Sequence, residues 1–309
     1  MTGMKVIKLK LEGDGSETLP SLKGDPVEAA IRTFEEITYV DPLVEEAYEK
    51  MLKSTSRINA DSRQLQTIVE ILEERYCSTV SRPAADDERT KAGLYVTALA
   101  QNSKTDKFNI TSNKKLNYVG FKLKEGKEIT VEGDVWVGAG QWLDGGKLTI
   151  NGSAGYHLGH NMAGGSIHVT KDAGEGAGWE MTGGGINIGG NAGNRTGWEM
   201  AGGNIRVDGS VGDETGRNMV GGEILVEKDA GNMTGKGMSG GMLTVIGNAG
   251  DKTGLQMERG ELRIGGKSGK ETGEEMWGGR ITVLGEIEGI AEKKHSGEIW
   301  QKGTKVWPE

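Results

Sequence analysis

His157 and His160 form an H-x-x-H pair with His168 and Asp172 close behind, which is the raw material of a zinc site. Such a pair grips a metal when a helix sets both imidazoles on one face, but here it lies in glycine-rich sequence. No fourth ligand stands at motif spacing, and neighbouring repeats place Gly, Trp or Arg in the same columns. We therefore read these histidines as surface residues. Glu180 and Glu199 are also 19 apart, and carboxylates stacked in this way could act as the acid and base of a polysaccharide-cleaving enzyme. The equivalent positions on either side are Asn161 and Asn218, so the pair is not extended. A lone Cys77 excludes a disulfide framework and any cysteine-held iron–sulfur cluster within this chain. With four histidines and no nucleophile elbow, no Ser–His–Asp or Cys–His device is legible.

Glycine patterns at 174–178 and 183–190 imitate a dinucleotide loop, and Gly260 to Ser268 imitates a phosphate loop with one residue too many. None sits between a strand and a helix, where such loops function. Met162, Met181, Met200, Met219, Met238, Met257 and Met276 suggest soft-metal ligands, but their unvarying spacing is what stacked core packing demands. The surface feature with most promise is aromatic. Trp179 and Trp198 occupy equivalent positions, with His160 before them and Arg217 and Lys236 after; Trp142, Tyr156 and Trp277 lie on neighbouring corners. Trp beside Arg is the composition of a protein–protein anchor, so Trp179, Trp198, Arg217 and Lys236 are the expected partner interface.

All of these candidates sit in one repeat of 19 residues between Gly138 and Gly289, G-x-x-M-x-G-G-x-I-x-V-x-G-x-A-G-x-x-T. Its register is held by Gly145-Gly146, Gly164-Gly165, Gly183-Gly184, Gly202-Gly203, Gly221-Gly222, Gly240-Gly241 and Gly278-Gly279, with Arg259-Gly260 as the worn copy. Alternation at Ile186, Ile188, Gly190 and Ala192 gives a strand with one face inward. A fixed period of this length implies a solenoid in which each turn is buried only by its neighbours. The expected fold is therefore mainly β: a right-handed, single-stranded parallel β-helix of 19-residue rungs, preceded by an α+β region. Paired glycines mark one corner, and Gly159, Gly178, Gly197, Gly216, Gly235, Gly254 and Gly273 mark another.

Residues 1–117 follow a different pattern. Helical stripes run through Val44, Ala47, Tyr48, Met51 and Leu52 behind Asp41-Pro42, and through Leu65, Ile68, Val69, Leu72 and Tyr76. A shorter helix is expected over Pro26–Ile37 behind Asp25, strands over Lys5–Glu12 and Gly93–Ala100, and a flexible link over Arg82–Lys91. Three regions result: 1–117 helical α+β, 118–289 β-helix, and 290–309 a closing segment with a short strand. Most of the 53 glycines lie in the period and prolines number only 5, which excludes collagen and Pro-rich linkers. The net charge of −8 argues against nucleic-acid binding. No apolar run resembles a signal peptide or a membrane span, so a cytoplasmic chain without membrane insertion is expected.

The repeat, best seen in Gly178-Trp-Glu-Met-Thr-Gly-Gly-Gly-Ile-Asn-Ile-Gly-Gly-Asn-Ala-Gly193, resembles the GXGXG β-helix superfamily. That superfamily includes the C-terminal domain of glutamate synthase and the β-helical subunit of formylmethanofuran dehydrogenase; the uninterrupted rungs look most like the latter. The resemblance spans roughly Tyr118 to Gly289 and leaves out the regions on either side. It implies a non-catalytic scaffold in an oxidoreductase complex that reduces CO2 to formylmethanofuran in methanogenesis, or runs the reverse. The molybdenum or tungsten pterin and the iron–sulfur clusters would belong to partner subunits, with no cofactor in this chain. The alternative is a glutamate-synthase-like β-helix chain in an amidotransferase/synthase complex.

Overall fold

The computed structural model describes residues 25–36, 44–77 and 83–308, except for the side chains of 83–88. Four helices come first: α1 (Pro26–Glu36), α2 (Val44–Ser54), α3 (Ser62–Arg75) and α4 (Pro83–Asn102). Twelve strands follow: β1 (Lys107–Thr111), β2 (Glu128–Glu132), β3 (Lys147–Asn151), β4 (Ser166–Val169), β5 (Gly185–Ile188), β6 (Asn204–Val207), β7 (Glu223–Val226), β8 (Ser239–Val245), β9 (Arg259–Ile264), β10 (Arg280–Val283), β11 (Glu298–Gln301) and β12 (Thr304–Trp307). Their spatial order is their sequence order, parallel from β1 to β11, with β12 antiparallel at the end. This is a mainly β parallel solenoid with 19-residue rungs.

In-register stacking builds the core. Ile186 lies on Ile205 and Ile205 on Ile224, all buried. The column Met162, Met181, Met200, Met219, Met238, Met257 and Met276 is fully buried beside them, with Leu143 ahead. Thr196, Thr215, Thr234 and Thr253 form a second buried column; each hydroxyl donates to a glycine carbonyl three residues back, so no polar atom is stranded. A further ladder of bridges runs through Ala154, Ala173, Ala192, Val211, Ala230 and Ala249. Lys228 is exposed at a bend.

The glycines have specific causes. The second glycine of each pair from Gly165 onward has positive φ, and a Cβ on Gly203 would lie 2.6 Å from the Gly184 carbonyl oxygen. Other glycines make room for amide ladders. Asn194 accepts from the Asp213 N–H, Asp213 from Asn232, Asn232 from Asp251, and Asp251 from Lys270, at 2.7–2.9 Å. A Cβ on Gly250 would fall onto the Asn232 oxygen. A second ladder links Asp172, Asn191 and Ser210. The same contact two rungs earlier, from the Ser153 N–H, holds the Asp134 carboxyl below its usual range.

Two more columns adopt left-handed backbone mostly at residues other than glycine. One holds His157, Arg195, Glu214 and Met233, the other Trp142, Asn161, Glu180, Glu199 and Asn218. Left-handed φ costs about 1–2 kcal/mol for a side-chain-bearing residue. It turns each N–H forward onto the next rung: Glu180 donates to the Trp198 carbonyl and Glu199 to that of Arg217, both at 2.8 Å.

The N-terminal region departs from the sequence reading. Gly93–Ala100, expected as a strand, lies within α4, and Pro83 to Lys91 of the expected link forms its first half. Every residue from Thr90 to Ala100 is buried, so the helix has no polar face to show a 3.6-residue stripe. The strand expected at Lys5–Glu12 and the cap at Asp41-Pro42 lie outside the described residues. The cap at Asp25 is present, accepting from the Val27 N–H at 2.9 Å.

Both ends of the solenoid are closed. At the first rung, Ser62 and Gln66 of α3 accept the Asn109 and Thr111 N–H groups on the free edge of β1. One helical step of four residues advances about 6 Å and two strand residues about 6.6 Å, so the helix can track the edge. Glu73 continues the line, taking the Ser112 hydroxyl and the Asn113 and Lys114 N–H groups. At the far end β12 reverses direction and carries Lys305, with Pro308 just beyond, which blunts the last edge. No described helix is long and apolar enough to cross a membrane.

Candidate functional site

The corner G-x-x-M carries the aromatic residues. In the rung Gly178-Trp179-Glu180-Met181, Gly178 has positive φ over the Ile205 side chain and Met181 is fully buried. The residue between Gly178 and the left-handed Glu180 projects from the bend. One rung later Gly197-Trp198-Glu199-Met200 repeats this geometry. The indoles therefore stack as the backbone stacks, with centroids 4.5 Å apart and planes 9° from parallel.

The stack extends both ways. His160 lies against Trp179 at 5.0 Å and 25°, and His157 lies at 5.3 Å, tilted. Arg217 and Arg195 sit over Trp198 at 5.2 and 5.3 Å. The faces of both indoles are thus covered, and a partner would meet their half-buried edges. Both indole N–H groups are shielded from solvent without a hydrogen-bond acceptor. Burial pushes the His157 and His160 imidazoles below their ordinary pKa; for His160 the nearby Glu180, 3.5 Å away, opposes the shift.

An ion-pair network borders the stack. Arg195 joins Glu175 at 2.6 Å and Glu214 at 3.2 Å, and Glu214 also binds Arg217 at 2.9 Å and Lys236 at 3.4 Å. Burial alone would raise the Glu214 carboxyl, but hydrogen bonds from Arg217, Arg195 and Lys236 outweigh it and hold it low.

Of the four residues expected at an interface, Trp179, Trp198 and Arg217 come together, while Lys236 is drawn to Glu214 one rung beyond the rings. Sequence reasoning missed Arg195, Glu214 and Glu175. The signal was available: reading the columns of Trp179 and of Gly176 together at 19-residue spacing places Arg195 and Glu214 beside the indoles.

Elsewhere, His168 is exposed on β4, and one Asp172 oxygen is taken by Asn191. Among the described residues, no group of three or more His, Cys, Asp or Glu is arranged to hold a metal ion. Trp142 stacks on Phe121 under Lys122, and Trp277 stacks on His295.

No family model matches the chain, and no curated protein matches it. Among solved structures, a chain of the formyltransferase/hydrolase complex from Methylorubrum extorquens, in complex with methylofuran, is similar to it. Identity is 34%, covering 46% of this chain and 55% of that one, with a TM-score of 0.42. The present chain thus spans about half the length of that neighbour.

Proposed function

We propose that this chain is a non-catalytic structural subunit of a formylmethanofuran-dehydrogenase-type complex, which reduces CO2 to formylmethanofuran or runs the reverse. The observation that carries this reading is the G-x-x-M-x-G-G repeat, whose resemblance to the β-helical subunit of that enzyme extends through rungs 118–289. The molybdenum or tungsten pterin and the iron–sulfur clusters would reside in partner subunits. With the first rung closed by α3 and the last by β12, partners dock on the flanks of the rod. The corner around Trp179, Trp198 and Arg217, with Lys236 at its margin, is the flank we assign to one of them. It offers rigid indole edges beside fixed charges, the composition of an interface anchor.

Purification from the native source, with metal analysis and identification of co-eluting chains, tests this reading. Molybdenum or tungsten together with iron in the assembly is the expected result. An assembly with formyltransferase and hydrolase activity on methylofuran but neither metal would keep the scaffold and replace the dehydrogenase. Flavin with glutaminase activity would favour the glutamate-synthase alternative, and a chain that elutes alone would overturn the subunit reading. In the reconstituted assembly, Trp179→Ala with Trp198→Ala is expected to weaken partner binding about tenfold or more. Unchanged binding by a correctly folded double variant would remove the corner from the interface.

A further inference from the structure

The flank beside the indole stack carries a second aromatic group. Trp136 and Tyr156 meet edge to face at 5.6 Å and remain 36% and 46% exposed. Together with Asp172, Glu175 and Asn194 they line an open cleft of about 460 Å³. Aromatic residues on this flank attract cations from within the chain: Lys115 sits 5.5 Å from the Trp136 centroid, and Arg195 and Arg217 sit over Trp198. Tyr156 is the most exposed ring of the group and has no cation over it among the described residues. Asp172 spends one oxygen on the Asn191 N–H and amide, and Glu175 one on Arg195. The second oxygen of each carboxylate has no partner among the described residues.

We propose that this cleft receives an arginine side chain from a partner subunit, its guanidinium lying on Tyr156 and forking to the carboxylates of Asp172 and Glu175. A planar guanidinium suits both surfaces at once, since it stacks on an aromatic face and donates in a fork to carboxylate oxygens. The chain supplies its own precedent one rung away, where Arg195 covers Trp198 and binds Glu175 and Glu214. The partner's being a protein subunit rests on the functional reading above; the guanidinium site rests on the cleft alone.

The test is a titration of the full chain, carrying 13C-labelled tyrosine rings, with N-acetyl-arginine amide and with its neutral isostere N-acetyl-citrulline amide. Arginine amide is expected to shift the Tyr156 resonance, assigned as the one missing from Tyr156→Leu, and citrulline amide to leave it in place. Asp172→Asn, which preserves the amide ladder as Asn191 and Asn248 do, and Glu175→Gln are each expected to weaken the response at least threefold. Equal shifts from both amides, or full response in both carboxylate variants, would overturn the site. In the assembled complex, Tyr156→Leu is expected to raise the dissociation rate of one partner. An assembly that holds together unaltered while free arginine amide still enters the cleft would overturn the partner arginine. A chain found to act alone would fail the subunit reading and leave the titration to judge the cleft.

Discussion

Gly203 and Asn204 are adjacent yet face opposite demands. The positive φ of Gly203 and its approach to the Gly184 carbonyl leave no room for a side chain, whereas Asn204 points outward and is exposed. Gly203→Val should destabilise by about 2–4 kcal/mol, combining left-handed strain with a backbone clash. Asn204→Val should lie within about 0.5 kcal/mol. Denaturant unfolding distinguishes the two, and equal losses would refute the corner geometry. The histidines under Trp179 make a pH prediction. Burial lowers both folded pKa values below the ordinary 6.5. Above that value both imidazoles are neutral folded or unfolded, and their contribution is complete. As pH falls below it, the unfolded chain takes up protons first and stability drops. The Tm should therefore fall between pH 7.5 and 5 more steeply in the native chain than in His157→Gln with His160→Gln; parallel profiles would contradict the assignment.

At the scale of elements, α3 acts as a side-chain substitute for a missing strand. Its partners on β1 are fixed by spacing, and Glu73 alone takes one hydroxyl and two backbone N–H groups. Glu73→Ala strands those donors and should cost about 2–3 kcal/mol. Amide hydrogen exchange should locate the loss: faster exchange in β1 and the 112–114 turn, unchanged protection from β6 to β9. Uniform acceleration along the rod would mean that α3 does more than close an edge. Sequence reading found α3 by its apolar stripe and mistook part of α4 for a strand for one reason. Periodicity reports a helix only when one face is left polar, and α4 is enclosed over Thr90–Ala100. It also missed β1 and ended the rungs at Gly289. Lys107 pairs with Glu128, 21 residues on, and Arg280 with Glu298, 18 on, so the terminal rungs fall outside the 19-residue count.

The whole molecule behaves as a stack in which each rung contacts its neighbours, so its length is adjustable in units of the repeat. Deleting residues 182–200 joins Met181 to Ala201 in unchanged register. The shortened rod is expected to stay folded and to lose about 4.8 Å of length by small-angle scattering. Deleting residues 182–191, about half a rung, places buried and exposed columns on each other and should abolish the β signal in circular dichroism. If both deletions were tolerated, the rungs would not be the cooperative unit.

A strict period is itself a statement about three dimensions, because residues 19 apart can be equivalent only if they occupy the same place on successive turns. The sequence alone therefore determined the solenoid, its buried Ile and Met columns, its glycine corners and the pairing of Trp179 with Trp198. Only the tertiary structure decided what lies between columns: that Arg195 and Glu214 flank the indoles, that both faces of each ring are covered, and that Lys236 turns away to Glu214. Those contacts cross from one column to another, and their distances depend on how sharply each corner turns. The left-handed backbone of non-glycine residues such as Glu199 and Arg195 sets that turn, and neither period nor composition encodes it.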